Sequence, residues 1–254
     1  MVHKKQIENK VVTTNKYSAQ KNEIKTRRNQ TKNKTPKLKT GSNLKTIFYH
    51  YMSGKPELKR WQKIGIFMLL IVFAGFFGWV YEFIFYYFND GMEKFYMQGG
   101  NFLPWINIYA IGTILIILTT QKFRKYPWVV FLISVISTGL LEFIAGWLVF
   151  KIGNGVRYWD YNTEILNFGN IEGFVCLRSV LFFGISALFL TYIIMPITIW
   201  LSKKMTKRTF LVLTIILFTL VMADEIYNIL ASKIFDWPDA IDFYESLGFE
   251  YWVK

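Results

Sequence analysis

The sequence predicts an all-α integral membrane protein: a five-transmembrane-helix bundle, N-terminus in and C-terminus out, preceded by a disordered basic N-terminal tail. Three observations predict it. The 254 residues are 53% hydrophobic and 19% aromatic, more apolar than a soluble domain of this size. Apolar runs at about 64–88, 104–120, 127–150, 174–200 and 209–232 each approach the roughly 20 residues that cross a bilayer. Finally, Lys plus Arg alternates between the connecting segments. The chain carries 17 ahead of the first run, then 1 (89–103), 3 (121–126), 2 (151–173), 4 (201–208) and 2 (233–254). Positively charged loops stay in the cytoplasm, so the short loops 121–126 and 201–208 face in. The longer loops 89–103 and 151–173 and the acidic, aromatic end 233–254 face out.

Residues 1–43 are rich in Lys, Asn, Thr and Gln and cannot bury enough apolar surface to fold. This disordered cytoplasmic tail accounts for much of the formal charge of +13. It suits anionic lipid headgroups and not nucleic acid, because only Tyr17 is interleaved with its basic residues. In 44–56, Leu44, Ile47, Phe48, Tyr51 and Met52 recur at helical spacing, which predicts an interfacial amphipathic helix on the inner leaflet. Gly54 and Pro56 end it. The first span is expected to remain as an anchor, since about 60 polar residues precede it. Ala74, Gly75 and Gly78 offer a small-residue packing face on that span, within or between chains. The single Cys176 forms no internal disulfide, and His3 and His50 lie outside the spans. Glu82-Phe83-Ile84 reappears as Glu142-Phe143-Ile144, compatible with two parallel hairpin repeats or with chance similarity between apolar helices.

Charge inside a span costs a few kcal/mol or more and marks a pathway or a site. Glu82, Glu142, Arg178, Asp224 and Glu225 are the charged residues within the five runs. At roughly 1.5 Å per residue they all fall about 6–12 Å below the outer surface, and Asn107 and Tyr109 lie near the same level. Snorkelling to the headgroups is open to Arg178. Its pairing with carboxylates is the other way to hold the charges, as a structural knot or as a site. Four carboxylates against one arginine leave excess acid, to be neutralised by protons or by a cation. Oxygen ligands favour Mg²⁺ or Ca²⁺ over zinc, but no ligand spacing specifies a metal, and no cofactor is expected. Above this layer, Trp159-Asp160-Tyr161 lies between Gly153-Asn154-Gly155 and Gly169-Asn170. It reads as an aromatic belt or as a lid with Asp160 facing the cluster.

These residues resemble a bacterial membrane family labelled ABC-transporter type IV, or permease-like. Gly78, Trp79, Tyr81 and Glu82 match its first span, and Pro104, Tyr109 and Gly112 its turn into the second helix. Glu142, the Trp159-Asp160-Tyr161 loop, and Asn170 with Gly173 complete the pattern over about residues 75–195. Asn107 stands where the family has a second Pro, Ala110 where it has a Gly, and Phe174 where a basic residue is common. The resemblance implies transport across the bacterial cell (cytoplasmic) membrane, with a separate ATPase or other membrane subunit as partner. The chain itself has no Gly-x-x-x-x-Gly-Lys-[Ser/Thr] loop for nucleotide.

Three functions follow as expectations. The first is a transporter component with an outward-facing carboxylate/arginine site. The second is a membrane enzyme acting on lipid or envelope precursors at the outer leaflet, with Glu82, Glu142 or Asp160 as acid or base. The third is a non-catalytic assembly partner whose polar cluster is structural. No residue is assigned as catalytic.

Overall fold

The computed structural model describes residues 43–54 and 56–251; the tail expected to be disordered lies outside them, apart from Asn43. Helix α1 (Leu44–Ser53) begins where the Asn43 side chain accepts a hydrogen bond from Thr46 N at 2.9 Å. It buries Ile47 and Tyr51 against the second half of the helix α5 described below. The expected interfacial helix is therefore held by protein on one face. Arg124 secures it, donating through Nε to Tyr51 O at 2.6 Å and through Nη2 to Gly54 O. Tyr51 donates to Gln121 Oε1 at 3.2 Å, and burial pushes its phenol up to about 12.

Four helices are long and apolar enough to cross a membrane. They are α2 (Arg60–Asn89), α4 (Pro127–Ile152), α5 (Leu177–Lys204) and α6 (Lys207–Leu230). All are long, mostly apolar helices; α5 is interrupted by a π-helical turn, Leu190–Ile194, just ahead of Pro196. Helix α3 (Asn107–Thr120) covers the second run, but its 14 residues span only about 21 Å. It starts at Asn107, later than the run, because the preceding chain is bonded elsewhere. Asn101 Nδ2 donates to Trp105 O at 3.2 Å, the Trp105 indole to Ile71 O at 3.3 Å, and Ile106 N to Gly75 O at 3.1 Å. Ile106 is accordingly extended.

The small residues on α2 serve packing within the chain. A Cβ on Gly75 would overlap the Trp105 indole, and one on Gly78 the Tyr109 ring. This lets α3 lie against α2 at backbone distance. Helix α4 packs against the first half of α5, Leu177–Phe189, with Gly184 against Phe131 and Val135. At one end of the bundle, buried Gln62 on α2 donates to Ser202 O at 3.1 Å and Tyr192 on α5 to Arg124 O at 2.8 Å. Past α6 come a π-helical turn (Ala231–Phe235) and α7 (Ala240–Ser246). Two short parallel strands, β1 (Tyr96–Met97) and β2 (Glu250–Tyr251), tie that end back to the loop after α2.

Candidate functional site

Helix α2 presents Tyr81, Glu82, Phe85 and Tyr86 on one face, since residues three or four apart are neighbours on a helix surface. These four line a pocket with Tyr109 of α3, Glu142 of α4 and Arg178, Ser179, Phe182 and Phe183 of α5. The loop between α4 and α5 completes it with Tyr161 and Glu164. The cavity is about 20 Å³, room for a single water molecule.

Each carboxylate is met from another element. Tyr109 donates to Glu82 Oε1 at 2.9 Å. Tyr161 donates to Glu142 Oε1 at 2.6 Å, and Ser179 Oγ lies 2.7 Å from Glu142 Oε2. Tyr86 donates to Glu164 Oε1 at 2.8 Å, while Glu164 Oε2 pairs with Arg178 Nη2. The Glu164 side chain is 1% exposed and that of Arg178 12%, so this is an ion pair withdrawn from solvent. Burial pushes the Glu164 carboxyl up, with Arg178 and Tyr86 pulling it back. Burial likewise raises the Tyr161 phenol well above its ordinary value, and the neighbouring Glu142 adds to it. The Arg178 guanidinium lies 3.8 Å from the Phe85 ring centroid and 5.3 Å from that of Tyr161.

The residues expected at one depth thus form two groups. Glu82, Tyr109, Glu142 and Arg178 surround the pocket, whereas Asn107, Asp224 and Glu225 stand apart from it. Glu225 on α6 accepts from Asn107 at 2.7 Å and from Asn101 at 2.8 Å. Asp224 accepts from the backbone N–H groups of Phe102 at 3.1 Å and Leu103 at 2.7 Å, and from Asn228 at 2.8 Å. Equal depth along a helix does not fix azimuth, and α6 presents its acids to the loop before α3.

The loop motif also divides. Tyr161 enters the pocket, but Asp160 does not face it. Asp160 Oδ1 accepts from Asn162 N at 3.0 Å and Asn162 Nδ2 at 2.7 Å, and Oδ2 lies 3.7 Å from Arg157 Nε. Trp159 donates to Phe174 O at 2.9 Å, and Asn170 bridges Asn162 and Gly173 N, both at 2.8 Å. Gly173 has φ +79°, and a Cβ there would overlap Asp160, Asn162 and Arg157. These residues shape the loop that delivers Tyr161 and Glu164. Trp79 stacks on Phe83 at 5.0 Å, and Pro104 sits exposed in the turn before α3. Glu164 and Tyr86 escape a reading confined to charge inside apolar runs: Glu164 lies in a loop, and Tyr86 is uncharged. The available signals are the three-residue spacing from Tyr161 to Glu164 and the one-turn spacing from Glu82 to Tyr86. Among the described residues, no group of three or more His, Cys, Asp or Glu side chains is arranged to hold a metal ion.

Long apolar helices around a buried polar pocket define a multi-pass helical membrane protein. Within that class, the chain belongs to the family described as "Putative ABC-transporter type IV", whose model matches residues 69–229. The match takes in every residue that lines the pocket and the Asp224–Glu225 pair. No curated protein and no solved structure gives a significant match.

Proposed function

We propose that the chain is a transporter component whose carboxylate/arginine pocket, opening toward the outer side, belongs to the substrate or ion pathway. One observation carries the reading: three helices and a loop bring three carboxylates and a single guanidinium to one cavity. Such a surplus of acids over cations away from water is costly to keep ionised and suits a site that exchanges charge. Five crossings are the topology that goes with it, α3 being the fifth. Just past its far end, Gln121 meets Tyr51, and its near end carries Asn107, which meets Glu225. With the positive loops inside, the N-terminus is cytoplasmic, the C-terminus is outside, and the membrane is the bacterial cytoplasmic membrane. Its partner in this reading is a separate ATPase or other membrane subunit, as the family suggests.

The test is uptake or efflux in a deletion strain complemented with Glu82→Gln or Glu142→Gln. Loss of the transport phenotype with the protein still present in the membrane is the expected result; normal transport in both variants overturns the reading. The buried Arg178–Glu164 ion pair favours a second reading, a purely structural cluster. That reading requires joint replacement of Arg178 and Glu164 by well-packed apolar residues to leave transport intact.

A further inference from the structure

The Arg178 guanidinium occupies a seat built for a cation. The faces of Phe85 and Tyr161 flank it at 3.8 and 5.3 Å, and the Glu164 carboxylate meets its edge. Aromatic faces combined with carboxylates recognise organic cations. Arg178 fills the seat incompletely. Its Nε is buried with no acceptor among the described residues, and Nη1 reaches only the Tyr81 hydroxyl, at 3.3 Å. Glu82 and Glu142 line the same cavity, yet among the described residues they are met by hydroxyls. Hydroxyls satisfy lone pairs without neutralising charge. The seat therefore has aromatic walls, three acids and one tethered cation.

Taking the pocket as part of a transport pathway, as proposed above, we infer that its ligand is a small organic cation of the guanidinium class, for which the Arg178 side chain is the resident stand-in. A planar, weakly hydrated guanidinium gains from ring faces what a compact, strongly hydrated ion does not. The same geometry dictates how the ligand enters. A cavity of about 20 Å³ holds no more than a water molecule, so the ligand enters by displacing the Arg178 side chain from between the Phe85 and Tyr161 rings and from the Glu164 carboxylate.

The experiment uses the full chain in detergent with guanidinium chloride at low millimolar concentration. Sodium chloride controls for ionic strength, and urea for a neutral molecule of the same shape. At a guanidinium concentration about ten times the dissociation constant, the melting temperature of the wild-type chain is expected to rise by about 3 °C over the sodium control. Urea gives no rise. In Glu82→Gln/Glu142→Gln, which keeps the Arg178–Glu164 pair, the rise disappears. No rise in the wild type, an equal rise with sodium, or an unchanged rise in the double variant each overturns the inference. So does a response confined to Arg178→Ala, which would mean that the seat fits only its own arginine. Isothermal titration of methylguanidinium into the wild-type chain covers the case of a variant that fails to fold; absence of saturable heat refutes the inference. The two proposals fail separately. Guanidinium binding with normal transport in the Glu82→Gln and Glu142→Gln strains removes the pathway reading and leaves the ligand class standing. Lost transport without guanidinium binding removes the ligand class alone.

Discussion

Glu82 with Glu142 and Asp224 with Glu225 are two pairs of acids on apolar helices, and the chain treats them in opposite ways. Asp224 and Glu225 receive backbone N–H groups and the amides of Asn101, Asn107 and Asn228. Such donors satisfy a carboxylate and, when several converge, stabilise its charge. Asn228 Oδ1 in turn accepts from Ala240 N at 2.7 Å, so this second group pins the loop before α3 and the start of α7 to α6. Glu82 and Glu142 receive hydroxyls from Tyr109, Tyr161 and Ser179 around a cavity, with the only pocket guanidinium bound to Glu164. The lesson is that an intramembrane acid is classified by its donors. In the reading proposed above, amide and backbone donors make a staple and hydroxyls around a cavity make a site.

That contrast can be broken most forcefully at Arg178. Arg178→Ala leaves Glu164 buried without its cation, a change that costs about 3–5 kcal/mol. Melting in detergent should fall by the largest amount of any pocket variant, and a drop no greater than for a surface residue would show that the ion pair is not withdrawn from solvent. On the other side of the comparison, Asp224→Ala removes the acceptor of the exposed Phe102 and Leu103 N–H groups and costs about 0.5–1.5 kcal/mol. Its signature is faster proteolysis within 98–106 with the transport phenotype retained. Transport lost as completely as in Glu82→Gln would erase the distinction between staple and site.

The smallest effect is a pH slope. Burial lifts the Glu164 carboxyl above its ordinary 4.5, so the folded chain holds that proton more tightly than the unfolded one. The corresponding stability is fully present below about pH 4.5. It is lost as pH rises through the elevated folded value. Glu164→Gln should flatten that decline in a melting-temperature profile. An unchanged slope would assign the titration to another group.

Some of this was legible in the residues alone and some was not. The apolar runs announce α2, α4, α5 and α6, because hydrocarbon length and backbone satisfaction leave an apolar 20-residue segment little choice but helix. The positions of Glu82, Glu142 and Arg178 along their helices are likewise readable, since helical rise is constant. Helix α3 is shorter than its apolar run because Trp105 and Ile106 bond to the α2 backbone at Ile71 and Gly75, and composition does not reveal those partners. The α1 helix reads as a lipid-surface element, yet Arg124, more than 70 residues beyond Tyr51, ties it to the bundle.

The sequence by itself determined what each long helix is and where along it the charges fall, because both depend on local periodicity and length. Only the tertiary structure decided which charges meet. Azimuth around each helix and the path of the loop between α4 and α5 depend on packing, such as the seating of Tyr109 on Gly78. That packing separates Asp224 and Glu225 from the pocket and brings Glu164 to Arg178.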